Sequence, residues 1–271
     1  MIIISLFTKI LHYLPGEISH SIALRGLKIL NYTRLIKLLN ISKKYDFSEK
    51  DIRNRSNMVG IAAGLDKNGD YIDCLASLGI GFIEIGTVTP KPQQGNSKPR
   101  LFRNKKEKSL LNRLGFNNKG VDYLVKKLKK RKSEIIVGSS IGKNFDTPND
   151  KAYLDYIYCL EKVYEFSEYI AVNISSPNTQ DLRKLSSKDF FDFLLKQLKD
   201  SQTKLSLKFG YRPIFIKISP DETPENLKLI CKSIVSNDID GIICSNTTAN
   251  HDEKYGSGGL SGTPLKIMSN E

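Results

Sequence analysis

The stretch AVNISSPNT (residues 171–179) begins as an apolar run and ends in small polar groups. Two amides, Asn173 and Asn178, bracket two hydroxyls, Ser175 and Ser176, and no histidine is near in sequence. Extended on its amino side to EYIAVNIS (168–175), the run shows no clean polar–apolar alternation, which suits a strand buried on both faces. Five more runs share that character: MVGIAAG (58–64), GFIEIGTVT (81–89), EIIVGSSIG (134–142), IFIKIS (214–219) and GIICSNTT (241–248). Helical periodicity falls between them, over 71–78, 121–130, 153–166, 190–198 and 225–235. This repeated β–α order predicts an α/β fold around a parallel sheet.

The groups that follow each strand choose the architecture. The six runs end in Asp66-Lys67, Thr87, the 140–144 segment, the 173–178 segment, Lys217 and Ser245-Asn246-Thr247. A (β/α)8 barrel collects its site from the C-terminal ends of its strands, whereas a doubly wound sheet uses only its switch points. No G-x-G-x-x-G opens a helix. GSGGLSG (256–262) lies beyond the sixth strand, with no helix start expected behind it. The expectation is therefore a (β/α)8 TIM-type barrel that is C-terminally incomplete, with six of eight β/α units. A helical extension precedes it, dividing the chain into residues 1–40 and a barrel domain over 41–271.

Composition narrows the function classes. The formal charge of +13 invites a nucleic-acid partner, but the lysines are spread along helix-like segments. The densest run, KKLKKRK (126–132), reads as a solvated helix end whose cations complement the helix dipole; no nucleic-acid partner is expected. The four cysteines are scattered and read as reduced core residues of a cytosolic protein. Three histidines at no ligand spacing argue against a metal. No apolar stretch reaches the roughly 18 residues that span a bilayer, and MIIISLFTKILHYL lacks a small-residue cleavage site. In the first 40 residues Leu6, Ile10, Leu14 and, after a break at Pro15-Gly16, Ile22, Leu27 and Leu30 recur at helical spacing. The polar positions there are mostly basic, so the segment either lies on an anionic membrane surface or docks on the barrel.

The strand ends carry groups suited to one kind of ligand. Asn112, Asn173, Asn178 and Asn246 are uncharged donor–acceptor groups that match a planar ring of alternating C=O and N–H, such as a pyrimidine. Lys67 and Lys217 can neutralise a carboxylate or an anionic ring. Ser176 has no histidine partner, which argues against a hydrolase triad but leaves a base role open where its proton has an exit. Taken singly, each is also an ordinary cap or turn residue.

The chain resembles the class 2, quinone-dependent dihydroorotate dehydrogenases. The stretches that carry the resemblance are VGIAAGLDKNG (59–69), GFIEIGTVTPKPQQGNSKPRLFR (81–103), NRLGFNNKGVD (112–122), IGKN (141–144), NISSPNTQDLR (173–183), IKISPD (216–221), SNTT (245–248) and GGLSGTPL (258–265), with LPGEISHSIALRGL (14–27) in the extension. The resemblance implies an FMN enzyme of pyrimidine biosynthesis that oxidises dihydroorotate to orotate and passes electrons to a membrane quinone. Class 1 relatives use a cysteine base; Ser176 stands at that place here. By the same resemblance Thr179 and Phe116 flank the proton exit. Lys67, Asn112, Arg113, Leu114, Gly115, Phe116, Asn173, Asn178, Asn246 and Thr247 contact substrate. Ala62, Ala63, Gly64, Leu65, Asp66, Thr87, Ser140, Asn173, Lys217, Ser245 and Gly262 contact FMN. His20 and Arg103 line the quinone path, and the amino-terminal helices hold the protein to the cytoplasmic face of the cell membrane. The sequence departs from the family at Ser140, where an asparagine is usual, and in ending before the last two strands with their phosphate-binding turns, as a fragment or a truncated gene product would. The rival expectations are an inactive or fragmentary barrel of the same family, a basic surface-binding protein, and another pyrimidine- or pterin-binding barrel enzyme.

Overall fold

A computed structural model describes residues 9–36, 59–178, 182–183 and 188–270. Its frame is a parallel six-stranded sheet. In chain order the strands are β1 (Gly60–Ile61), β2 (Phe82–Val88), β5 (Ile136–Ile141), β6 (Tyr169–Asn173), β7 (Ile214–Lys217) and β8 (Gly241–Ile243), and they lie side by side in that order. Helices α2 (Ile72–Ala76), α3 (Val121–Leu128), α4 (Ala152–Val163), α5 (Lys188–Phe209) and α6 (Pro224–Ser236) connect them. This is the β/α barrel order with six units, as the sequence predicts. The expected boundary at residue 40 lies outside the described residues.

Strand periodicity of two builds two cores. On the outer face Ile83, Ile85, Val137, Ile170, Val172, Ile214 and Ile216 are fully buried against the helices. On the inner face Ile136, Tyr169 and Ala171 pack with Phe82, Phe215 and Ile243. Gly138 makes that inner layer possible. A Cβ there would sit 2.0 Å from Cζ of Tyr169, so the ring occupies the room glycine leaves.

Helix ends follow local chemistry. Thr223 caps α6 by accepting from the Asn226 N–H at 3.2 Å, with Pro224 at the first helical position. Helix α5 outruns its expected span. Its apolar stripe of Phe191, Leu194, Leu195 and Leu198 continues to buried Gln202, and no breaker occurs before Gly210 at φ +79°.

Three strands and one helix were not expected. Strands β3 (Leu101–Asn104), β4 (Ser109–Asn112) and β9 (Gly259–Gly262) form an antiparallel sheet in the order β3-β4-β9. Behind the glycine-rich segment a helix does begin: α7 (Thr263–Asn270), opened by Thr-Pro. Two cysteines also depart from expectation. Cys74 and Cys159 are buried, but Cys231 and Cys244 are exposed, the first on α6 and the second just past edge strand β8. Of the amino-terminal segment, a helical turn at residues 9–11 and α1 (Gly16–Tyr32) are described. Among the described residues no helix is long and apolar enough to cross a membrane.

Candidate active site

The C-terminal strand ends, the β3-β4-β9 sheet and α1 enclose one pocket of about 1440 Å³. Its inner wall is a chain of bonded polar groups. Thr87 Oγ1 and Ser140 Oγ lie 2.9 Å apart, and the Asn173 amide donates to Thr87 Oγ1 at 2.9 Å. Asn173 Oδ1 in turn accepts from Ser175 Oγ at 3.2 Å and from the Asn246 amide at 3.3 Å. The Asn246 amide also donates to Ser175 Oγ at 3.1 Å. Across the pocket the Asn178 amide donates to both Oδ1 and the carbonyl of Asn112 at 3.1 Å. Buried Tyr156 on α4 fixes the end of β6 by donating to the Asn173 carbonyl at 2.9 Å.

Ser176 is buried between these amide groups and lines the pocket. The Asn178 N–H donates to its Oγ at 3.3 Å. Lys217 and Lys67 bring the cations. Lys67 is half-buried, open on the pocket side, while its ammonium lies deep among protein atoms. Burial and then the Arg100 guanidinium lower it to about 7, against the raising effect of Glu17.

The outer wall is α1. Glu17 pairs with Arg100 at 3.0 Å, His20 Nε2 lies 2.6 Å from the Leu65 carbonyl, and Lys28 donates to the Asp70 carbonyl at 2.9 Å. Arg100 also donates to the carbonyls of Gln94 and Asn96, joining the helix to the loop before β3.

Most expected residues converge. Ala62, Ala63, Gly64, Leu65, Lys67, Thr87, Asn112, Leu114, Gly115, Phe116, Asn173, Ser176, Asn178, Lys217, Ser245, Asn246, Thr247 and His20 all line the pocket. The others sit behind it. Asp66 accepts from the N–H groups of Asn68, Asp70 and Tyr71 and so shapes the loop. Ser140 supports Thr87. Arg113 donates to the Pro99 carbonyl and stacks on Phe102. Arg103 donates to the carbonyls of Leu11 and Leu14, closing the turn before α1. Gly262 pairs with Ser109, where a Cβ would meet the Lys108 carbonyl at 2.3 Å. Thr179 lies outside the described residues. Arg100 and Glu17 are among the lining residues not expected from the sequence; Arg100 stands in the KPRLFR motif with Arg103, and Glu17 in the LPGEISH stretch with His20. Among the described residues no cluster of acidic, histidine or cysteine side chains is placed to hold a metal.

Fold and site together define a β/α-barrel protein whose strand-end pocket is furnished for a flat, polar, anionic ring. Comparison with known proteins narrows this class. The family model for dihydroorotate dehydrogenase matches residues 51–271. A relative from Shewanella frigidimarina named dihydroorotate dehydrogenase (quinone) is 45% identical over 97% of this chain and 80% of its own length. A relative of the same name from Coxiella burnetii is 52% identical over 79% of this chain and 63% of its own. The crystal structure of DHODH from Eimeria tenella in complex with ferulenol superposes with a TM-score of 0.73 at 33% identity, covering 88% of this chain and 73% of that one. The chain belongs to the dihydroorotate dehydrogenase family, on its quinone-dependent branch.

Proposed function

We propose that the chain oxidises dihydroorotate to orotate in pyrimidine biosynthesis, with FMN as resident cofactor and a membrane quinone as electron acceptor. The names of its relatives support this reading. The observation that carries it is Ser176, buried in the pocket between amide groups and two lysines, with no histidine among the lining residues other than His20 on the outer wall.

The residues fit a flavin. Gly64, at φ +113°, leaves open pocket where a Cβ would point, so the backbone of residues 62–65 offers a bare floor to a flat ring. Thr87, Asn173 and Ser245 supply polar contacts beside it, and Lys217 a cation. FMN, when bound there, supplies the two-electron acceptor that no side chain provides. Asn112, Asn178, Asn246 and Thr247 hold the pyrimidine edges, with Leu114, Gly115 and Phe116 against its face, and Lys67 takes the carboxylate. Arg113, Asp66, Ser140 and Gly262 act from behind by holding these groups in place.

Ser176 Oγ takes the proton from C5 as a hydride leaves C6, which creates the C5=C6 bond of orotate. A hydroxyl is a weak base, so its own proton must depart during the transfer; the family resemblance assigns that exit to Thr179 and Phe116. His20 lies where a second substrate passes beneath α1, and Arg103 keeps the turn before α1 closed. Ile18, Ile22, Ile29 and Tyr32 expose apolar surface on α1 beside Arg25 and Lys28. That surface suits a protein resting on the cytoplasmic face of the cell membrane.

The test is anaerobic stopped-flow bleaching of bound flavin by dihydroorotate. Ser176→Ala should slow bleaching by about 10²–10⁴-fold while orotate still binds. Bleaching at the wild-type rate places the base elsewhere.

A further inference from the structure

Beneath the pocket floor, in the inner layer of the sheet, lies a carboxylate that the reaction just described leaves unused. Glu84 sits on β2 opposite Gly138 of β5, two residues from Phe82 on the same inward face. It is 4% exposed. The Tyr169 hydroxyl, brought over Gly138, donates to its Oε2 at 3.4 Å. Its Oε1 accepts no hydrogen bond and stands 3.7 Å from Nζ of Lys217, which is 7% exposed and lines the pocket. Among the described residues Lys217 is the one cation at ion-pair distance from Glu84. The Tyr169 phenol stays protonated, since burial and then the Glu84 charge push it well up. Among the described residues Glu84 of β2 is thus the charged group facing Lys217, and the Tyr169 phenol of β6 faces Glu84.

A carboxylate this deep persists as an ion only if a cation answers it. The converse holds for the lysine. The spacing matters as much as the charge, because at 3.7 Å the pair attracts without a formed hydrogen bond, and the ammonium N–H groups remain free to turn toward the pocket.

We propose that Glu84 is a positioning residue that holds the Lys217 ammonium at the pocket, so that a reduced, anionic ring bound there would meet a cation. This rests on the flavin reading above. Glu84 touches neither substrate nor cofactor; it acts through Lys217.

The first measurement needs no flavin. Competitive acetylation of Lys217 by acetic anhydride, read by mass spectrometry across a pH series, reports the fraction of free amine. Glu84→Gln should make Lys217 roughly tenfold more reactive at pH 8.5. Glu84→Asp should restore part of the wild-type profile. The second follows the flavin midpoint potential by spectral titration at pH 8.5. There Glu84→Gln should lower the relative affinity for reduced over oxidised flavin about tenfold, or ~30 mV for a two-electron couple. An unchanged Lys217 profile overturns the proposal. If the wild-type chain gathers no flavin, the cofactor reading fails while acetylation still decides the Glu84–Lys217 pair. Should Glu84→Gln fail to fold, Glu84→Gln/Lys217→Met decides: recovery of soluble protein supports the pairing, because removing both partners of a buried pair costs less than removing one, and continued failure overturns it.

Discussion

The two walls of the pocket are built on opposite plans. On the inner wall Ser140, Thr87, Asn173 and Ser175 are buried and Asn246 is half-buried, and each is bonded to another group of the wall: Ser140 to Thr87, Thr87 to Asn173, Asn173 to Ser175 and Asn246. On the outer wall α1 presents exposed isoleucines and is tied down at separate points by long side chains, a buried Arg100 and the more exposed His20 and Lys28. Buried networks gain rigidity because an unmade bond there is costly. Surface contacts of long side chains are individually weak. The inner wall is thus made for holding atoms still, and the outer wall for letting molecules reach them.

Four changes would sharpen or break that contrast. The largest effect should come from the hub of the inner wall. Asn173→Ala removes the bonds to Thr87, Ser175 and Asn246 together, and misplacement of the site should slow flavin bleaching on the order of 10²-fold. A change under threefold means the wall does not depend on its hub.

The next effect crosses from wall to wall. Lys67 takes the substrate carboxylate under the proposed function, yet Arg100 lowers its ammonium and Glu17 raises it. Orotate affinity, followed by spectral titration against pH, should be flat below about 7 and fall by up to tenfold per pH unit above it. Arg100→Gln should move that break upward and Glu17→Gln downward. Shifts in the same direction would separate the walls after all.

Folding stability should respond to the same group with the opposite sign. Lys67 holds its proton to about 7 when folded, against an ordinary 10.5. Between those values the unfolded chain binds more protons, so stability should rise with pH across that window. Denaturant melts of Lys67→Met against wild type should show the rise flattened in the variant.

Least of all should depend on the surface of α1. Ile29→Ser, at a position 62% exposed, should shift stability within about 0.5 kcal/mol and leave bleaching unchanged, while retention on anionic vesicles weakens. Equal retention would remove the membrane role of this face.

The contrast also explains what the sequence disclosed. Inner-wall residues were legible because each terminates a buried strand, and the jump from Ile and Val to Asn, Ser or Lys is abrupt. On the outer wall His20 was named, but its neighbours were not. Arg100 and Arg103 are three positions apart in one motif, and only the fold shows that the first reaches Glu17 and the pocket while the second closes a turn. Strands β3, β4 and β9 were missed because each is four residues long, and β9 pairs with β4 across roughly 150 positions of chain. The helix after the glycine-rich segment was hidden by its brevity. Asp66, Ser140 and Gly262 stand in the same motifs but do not line the pocket, since a motif records that a residue is needed and not which way it faces.

The Tyr169 ring lying over Gly138 has a consequence for inheritance. The two positions share one volume, so neither is free to change alone. A lineage that acquires a side chain at 138 must already have given up the ring at 169, and with the ring goes the hydroxyl that reaches Glu84. Sequences of this barrel should therefore divide into those keeping glycine, tyrosine and glutamate as a set and those that have exchanged all three, with intermediates rare because each is a descent through a less stable protein.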